Sequence, residues 1–175
     1  MLAAATAILD RDGYSGLTME RVALDSGVAK TTLYRHWPTI AALCVDLYLD
    51  VAASELRDRD TGDVATDLKA LVNAVVRLQT RTVAGPALMG VLAEAQVDDR
   101  ARDDYLPAFA EKRRELSRTI LRRGVARGQL RGDVDVELLI DIIGGATTFR
   151  LLQRHAPLNR KFADALVELV LRGAR

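Results

Sequence analysis

Cysteine, proline, aromatic residues and excess positive charge are all scarce in this sequence. The single cysteine, Cys44, excludes an internal disulfide framework and a cysteine-rich metal site. Flanked by Leu43 and Val45, it reads as a small buried hydrophobe rather than a reactive thiol. His36 and His155 lie far apart with no third ligand at useful spacing, so neither a metal nor another cofactor is expected. Nothing at the start combines a charged segment with an apolar one, and no run of apolar residues is long enough to span a bilayer. Export and membrane insertion are therefore not expected, and a cytoplasmic location is. The net charge is only +1, and residues 1–58 hold Arg11, Arg21, Lys30, Arg35 and Arg57 against a larger number of Asp and Glu. Any nucleic-acid contact must then come from local placement of donors rather than from bulk charge.

What is present is helical patterning. Hydrophobic residues make up 49% and charged residues 28%, a globular balance at 175 residues. Leu2, Ala5, Ile8 and Leu9 have helical spacing before Gly13; a short helix follows over Met19–Ser26, capped by Thr18, and another over about Lys30–Trp37, broken by Pro38. Thr39 is the next cap, and Ile40, Leu43, Leu47 and Val51 line one face of a longer helix. The charged run 57–63 reads as a connection. Beyond it Leu68, Leu71, Val72, Val75, Gln79 and Thr82 share a helical face, Gly85-Pro86 punctuates, and Ala87–Val97 reads as a short helix. Asp98-Asp99 opens a longer helix carrying Leu106, Phe109, Ala110, Ile120 and Leu121. After a break at Gly128–Asp135, an apolar helix is expected over Val136–His155. Asn159 starts a last one, with Phe162, Leu166, Leu169 and Val170 inward. No segment alternates with period two. The expected fold is all-α, about nine helices, with residues 1–48 forming one domain and 49–175 a second.

Met19 to Thr39 has the internal logic of a helix-turn-helix. Two short helices that cross steeply need a small residue at the crossing, a glycine in the turn and apolar residues to lock the angle. Ala23, Gly27, and the trio Val22, Val28 and Leu33 supply these. Leu33 and Trp37 are i,i+4 neighbours facing inward, which leaves Thr31, Thr32, Tyr34, Arg35 and His36 outward: hydroxyl, guanidinium and imidazole groups suited to phosphates and base edges.

Through Gly13-Tyr14-Ser15-Gly16-Leu17-Thr18, Val22-Ala23 and the stretch Gly27-Val28-Ala29-Lys30-Thr31-Thr32-Leu33-Tyr34-Arg35-His36-Trp37-Pro38, the sequence resembles the TetR family of bacterial transcriptional regulators. The resemblance covers about residues 2–48 and implies a ligand-responsive regulator, most simply a repressor released from a pseudo-palindromic operator in double-stranded DNA. It places Lys30, Thr31, Thr32 and Arg35 nearest the bases and Tyr34 and His36 on phosphates. Thr18 would donate to a phosphate from its helix N-terminus. It further implies a C-terminal domain that binds a small-molecule effector and forms a homodimer through its last two helices. Ala29 departs from the family's usual N-capping Ser, and Ile40 from its usual phosphate-binding Lys. The helical pattern is already running at Met1, and a basic arm ahead of it is expected.

Within the C-terminal part, Gln79 sits on an apolar helical face, and Arg113 lies seven residues from both Leu106 and Ile120. With Tyr105 and Phe109, the only aromatics of residues 64–127, they are the expected effector contacts. An intramolecular hydrogen bond for Gln79 and a snorkelling Arg113 are the plainer alternatives. Ile142, Ile143, Leu151, Leu152, Leu166 and Val170 exceed what two terminal helices need for one bundle, and Gly144-Gly145 permits close approach; these are the expected dimer contacts. An enzyme is not expected, since no nucleophile–base pair, paired carboxylates or metal motif appears. The competing reading is a helical interaction module that has lost DNA binding, motivated by the acidic N-terminal balance and Ile40.

Overall fold

Among the described residues, which are 1–99, 102–103 and 106–174 of a computed structural model, the chain is all helix and turn. In order it forms α1 (Leu2–Asp12), a 3-10 turn (Tyr14–Gly16), α2 (Met19–Ser26), α3 (Lys30–His36), α4 (Ile40–Glu55), α5 (Val64–Arg81), α6 (Ala84–Glu94), α7 (Leu106–Ala126), α8 (Val136–Gln153) and α9 (Arg160–Ala174). Five of these helices start at side chains that satisfy orphan N–H groups. Thr18 accepts from Arg21 N, Thr39 from Ala42 N, Asp63 from Thr66 N, Asp135 from Leu138 N and Asn159 from Phe162 N. Each such cap contributes about 1 kcal/mol.

Some boundaries differ from the sequence expectation. α6 begins at Ala84, so Gly85 and Pro86 lie inside its first turn instead of before it. A first-turn proline gives up an N–H that the helix could not have bonded, so it does not break the element. α8 stops at Gln153, short of His155, where Arg154 adopts a left-handed conformation. Leu169, expected inward, is 70% exposed.

Two compact units emerge, one of Met1–Ser54 with Arg81–Ala110, the other of Glu55–Thr80 with Glu111–Arg175. In the first, Ile8, Leu9, Val22, Leu33, Leu43, Leu47 and Leu88 are fully buried, and the Tyr48 and Phe109 rings meet edge to face at 5.1 Å. Cys44 is buried here too, and desolvation, then the nearby Glu94 charge, pushes its thiol up to about 12. It is inert filling, as its neighbours implied.

The second unit has its core between α5, α7, α8 and α9, with Leu68, Leu121, Ile140, Val167 and Leu171 among its buried residues. The charged run expected as a connection is strapped to α7 and the residues just after it. Arg123 pairs with Asp58, Arg127 with Asp60 at 2.7 Å, and Gln129 bonds both Gly62 O and Val64 N. Arg114 and Arg118 of α7 converge on Glu137 in the first turn of α8, and reach Asp141 and Glu111 as well. Those bonds hold Glu137 at about 2, well below the usual carboxylate range, Arg118 contributing most.

Candidate DNA-reading surface

α2 and α3 form the expected helix-turn-helix. Gly27 ends α2 with φ 67°, a left-handed conformation that glycine adopts without Cβ strain, and Val28 N bonds back to Ala23 O at 3.2 Å. Val22 and Leu33 are fully buried, and Ala23 is buried as well. Trp37 is buried immediately after α3, and its indole Nε1 donates to Asp46 Oδ2 of α4 at 2.8 Å. That bond fixes the end of α3 to α4, so α3 is anchored at Leu33 and Trp37 and cannot roll. Truncating Leu33 to Ala would cost about 2–5 kcal/mol.

Anchoring one face leaves the other free. Lys30, Thr31, Tyr34, Arg35 and His36 are all exposed, and Thr32 is half-buried. Thr18 is also exposed at the start of α2, with its hydroxyl oxygen committed to the cap. Ala29 makes no side-chain cap for α3, so the N–H groups at that end are left to water or another acceptor.

Charges around the motif are largely paired. Arg21 bonds Asp12 and, at 3.1 Å, Gly16 O, tying α2 to α1 and the 3-10 turn. Asp12 is held below its usual range mainly by that Arg21 bond. Arg11 pairs with Asp12 and, at 3.9 Å, Asp25. Lys30 Nζ donates to Glu20 Oε1 at 2.9 Å, lowering the Glu20 carboxyl from its ordinary value. Apart from Asp12 beside Arg11, these acidic partners could not be located from sequence, because they lie on neighbouring helices.

The expected effector residues fall in both units. Gln79 is 2% exposed, and among the described residues neither its Oε1 nor its Nε2 has a hydrogen-bond partner. Arg113 is half-buried on α7 in the same unit, while Phe109 belongs to the first unit, packed on Tyr48. Tyr105 lies outside the described residues. A solvent-open groove of about 360 Å³ beside α7 is lined by Glu111, Lys112, Glu115, Arg118, Thr119 and Arg122, none of them expected.

The dimer expectation needs correction in detail. Ile143, Leu166 and Val170 are buried in the core of the second unit and have little surface left to offer a second copy. Leu151 is half-buried, whereas Ile142 and Leu152 are exposed. Sequence reading missed Leu138, Phe149 and Leu169, which are exposed too. Because α8 is apolar on most sides, periodicity could not tell its inner from its outer face.

A buried-core helix-turn-helix whose second helix presents donors outward defines a DNA-binding protein. Comparison with known proteins extends this to a family. Residues 1–47 match the model for "Bacterial regulatory proteins, tetR family", and residues 58–170 match "Tetracyclin repressor-like, C-terminal domain". The chain is 31% identical to the DNA-binding transcriptional repressor TetR of Mycobacteroides abscessus, over 98% of this chain and 90% of that one. It is 28% identical to the HTH-type transcriptional regulator YdeS of Bacillus subtilis, over 100% and 88%. Among solved structures, the TetR family transcription regulator SCO0332 superposes with a TM-score of 0.85 at 40% identity, covering 99% of this chain and 96% of that one. FadR of Bacillus subtilis, solved with stearoyl-CoA, shares the fold at a TM-score of 0.72 and 18% identity, covering 99% and 97%. The chain belongs to the TetR family of transcriptional regulators.

Proposed function

We propose that this regulator is a homodimeric repressor that holds a pseudo-palindromic duplex operator through α3 and leaves it when a small molecule binds the C-terminal part. It is a binding protein rather than an enzyme, and it works in the cytoplasm. Residues 1–48 serve as the DNA-binding domain and 49–175 as the effector-binding and dimerisation domain.

The observation that carries DNA reading is the outward set Thr31, Tyr34, Arg35 and His36 on a helix pinned by Leu33 and Trp37. Arg35 is exposed and suited to the O6/N7 edge of guanine, with Thr31 and Thr32 beside it. Tyr34 and His36 serve the backbone, and Thr18 and Lys30 border the surface. Support for an effector comes from Gln79, a buried amide with no partner among the described residues, since such a group costs about 1–3 kcal/mol until something pairs with it. The relative named as a repressor and the fold neighbour solved with an acyl thioester favour repression and a largely apolar ligand.

A gel shift with the DNA flanking its own reading frame tests the proposal. Salt-sensitive, sequence-selective binding that Arg35→Ala weakens is expected. Binding to no duplex at low salt would return the chain to the alternative of a helical interaction module.

A further inference from the structure

From Met1 to Ser54 the cations are Arg11, Arg21, Lys30 and Arg35. The first three are engaged by carboxylates of the same segment: Asp12 and Asp25 for Arg11, Asp12 for Arg21, Glu20 for Lys30. Arg11 and Arg21 are turned to their own scaffold. Lys30 is different, because it opens α3 and stands beside Thr31 on the surface that meets DNA. Its partner Glu20 occupies the first turn of α2, and both side chains are more than half exposed, at 53% and 57%. Neither group is needed for the core.

From this arrangement we infer that Glu20 is a positioning residue of the DNA-reading surface. By holding the Lys30 ammonium it limits how much of that charge reaches a phosphate. The inference rests on α3 being the helix that meets DNA. A cation given to the backbone strengthens binding to every sequence alike and adds about 0.9 to the dependence of log K on log salt. Held by Glu20, Lys30 must leave one anion to reach another, and Glu20 itself stays behind facing the phosphates. Sequence-independent affinity is thereby kept low, and recognition falls more heavily on Arg35 and the hydroxyls of α3. A Glu in the first turn also complements the α2 dipole, so a purely structural role must be separated from the electrostatic one.

Four proteins separate them: the parent, Glu20→Gln, Lys30→Met and the double variant. Each is titrated with a short random-sequence duplex across a salt series. Glu20→Gln is expected to tighten binding and to steepen the salt slope by about 0.9, worth a further ~3-fold change in affinity between about 50 and 200 mM. In the Lys30→Met background the same substitution is expected to change the slope by less than half as much. Equal changes in both backgrounds, or none in either, overturn the role of Glu20 while leaving α3 as the DNA-reading helix. No salt-dependent binding by any of the four overturns that reading itself, and the role of Glu20 falls with it.

Discussion

The Tyr14 ring lies against α6 in the space that a Cβ on Gly90 would occupy. Tyr14 follows α1 in the 3-10 turn that leads into α2, and its hydroxyl donates to Glu94 Oε2 at 3.3 Å, one turn beyond Gly90. Burial raises the phenol above its ordinary range, with Cys44 and Glu94 adding to the effect, so it stays protonated and remains a donor. Glycine is otherwise unfavourable in a helix interior by up to about 1 kcal/mol. The ring explains why it is tolerated here. Gly90→Ala is expected to destabilise the protein by about 1–3 kcal/mol through overpacking, read by urea unfolding. In a Tyr14→Ala background the penalty should fall to near zero or reverse. An equal penalty in both backgrounds would show that the ring is not what excludes the Cβ.

DNA contacts on α3 should divide by kind. Arg35→Ala is expected to cost about 1–3 kcal/mol on an operator and to relax selectivity at one position. Tyr34→Phe should weaken operator and random duplex alike if its hydroxyl serves phosphate. Fluorescence anisotropy on both duplexes checks this. The opposite division of effects would exchange the two roles, and no effect from either would remove α3 from the interface.

Acid should weaken the α7–α8 clamp. Glu137 titrates at about 2 in the fold against an ordinary 4.5, so its folded pKa is depressed. Its contribution is therefore fully present above about pH 4.5 and is lost as pH falls toward about 2. Asp12, Asp60 and Glu168 are lowered as well and act in the same direction. Glu137→Gln is expected to flatten the acid limb of a melting-temperature profile while leaving its neutral-to-alkaline part unchanged in shape. An acid limb as steep as the parent's would mean that Glu137 is not what titrates.

These pairs mark where sequence stops being informative. The helix-turn-helix was legible because its determinants are local: Ala23 and Gly27 four apart, Leu33 and Trp37 on one face, Thr18 three before Arg21. The same i,i+4 logic placed Trp37 inward but could not find Asp46, which meets its indole from α4. On α7, counting in sevens from Leu106 singled out Arg113. That count says nothing of the clamp, which uses Arg114 and Arg118, four apart and facing Glu137, a choice set by where α8 packs. Likewise, nothing local in Leu88 or Gly90 says that α6 groups with the first unit.

The exposed apolar face of α8 and α9 should hold the dimer. Leu138, Ile142, Gly145, Phe149 and Leu152 follow one another in steps of four, three, four and three, the spacing of a helix-packing seam. A Cβ on Gly144 or Gly145 would meet nothing nearby, so this part of the face is open within the subunit. Leu169 is the exposed large apolar residue of α9. Phe149→Glu combined with Leu169→Glu is expected to yield monomers in sedimentation at micromolar concentration and to weaken operator binding, since a palindrome is read by two copies. A dimer that survives both charges must use another surface.

Gln79 offers a test of the effector site that can begin before any effector is identified. Its amide is buried on α5 and pairs with no other group among the described residues. Removing an unsatisfied buried amide while keeping its volume should relieve about 1–3 kcal/mol, so Gln79→Met is expected to raise the melting temperature. A residue whose replacement stabilises the empty protein is an unfavourable choice for the fold alone, and a bound polar group would give it a purpose. Largely apolar small molecules with one polar group are the ligands to screen, by their ability to lift the parent from its operator. With a ligand so identified, Gln79→Met should bind the operator as the parent does yet require about tenfold more ligand for release, as the loss of about 1.4 kcal/mol would dictate. If Gln79→Met destabilises the empty protein, the amide is already satisfied in solution and the residue is structural. If it stabilises the protein but responds to ligand like the parent, the effector's polar group is held elsewhere.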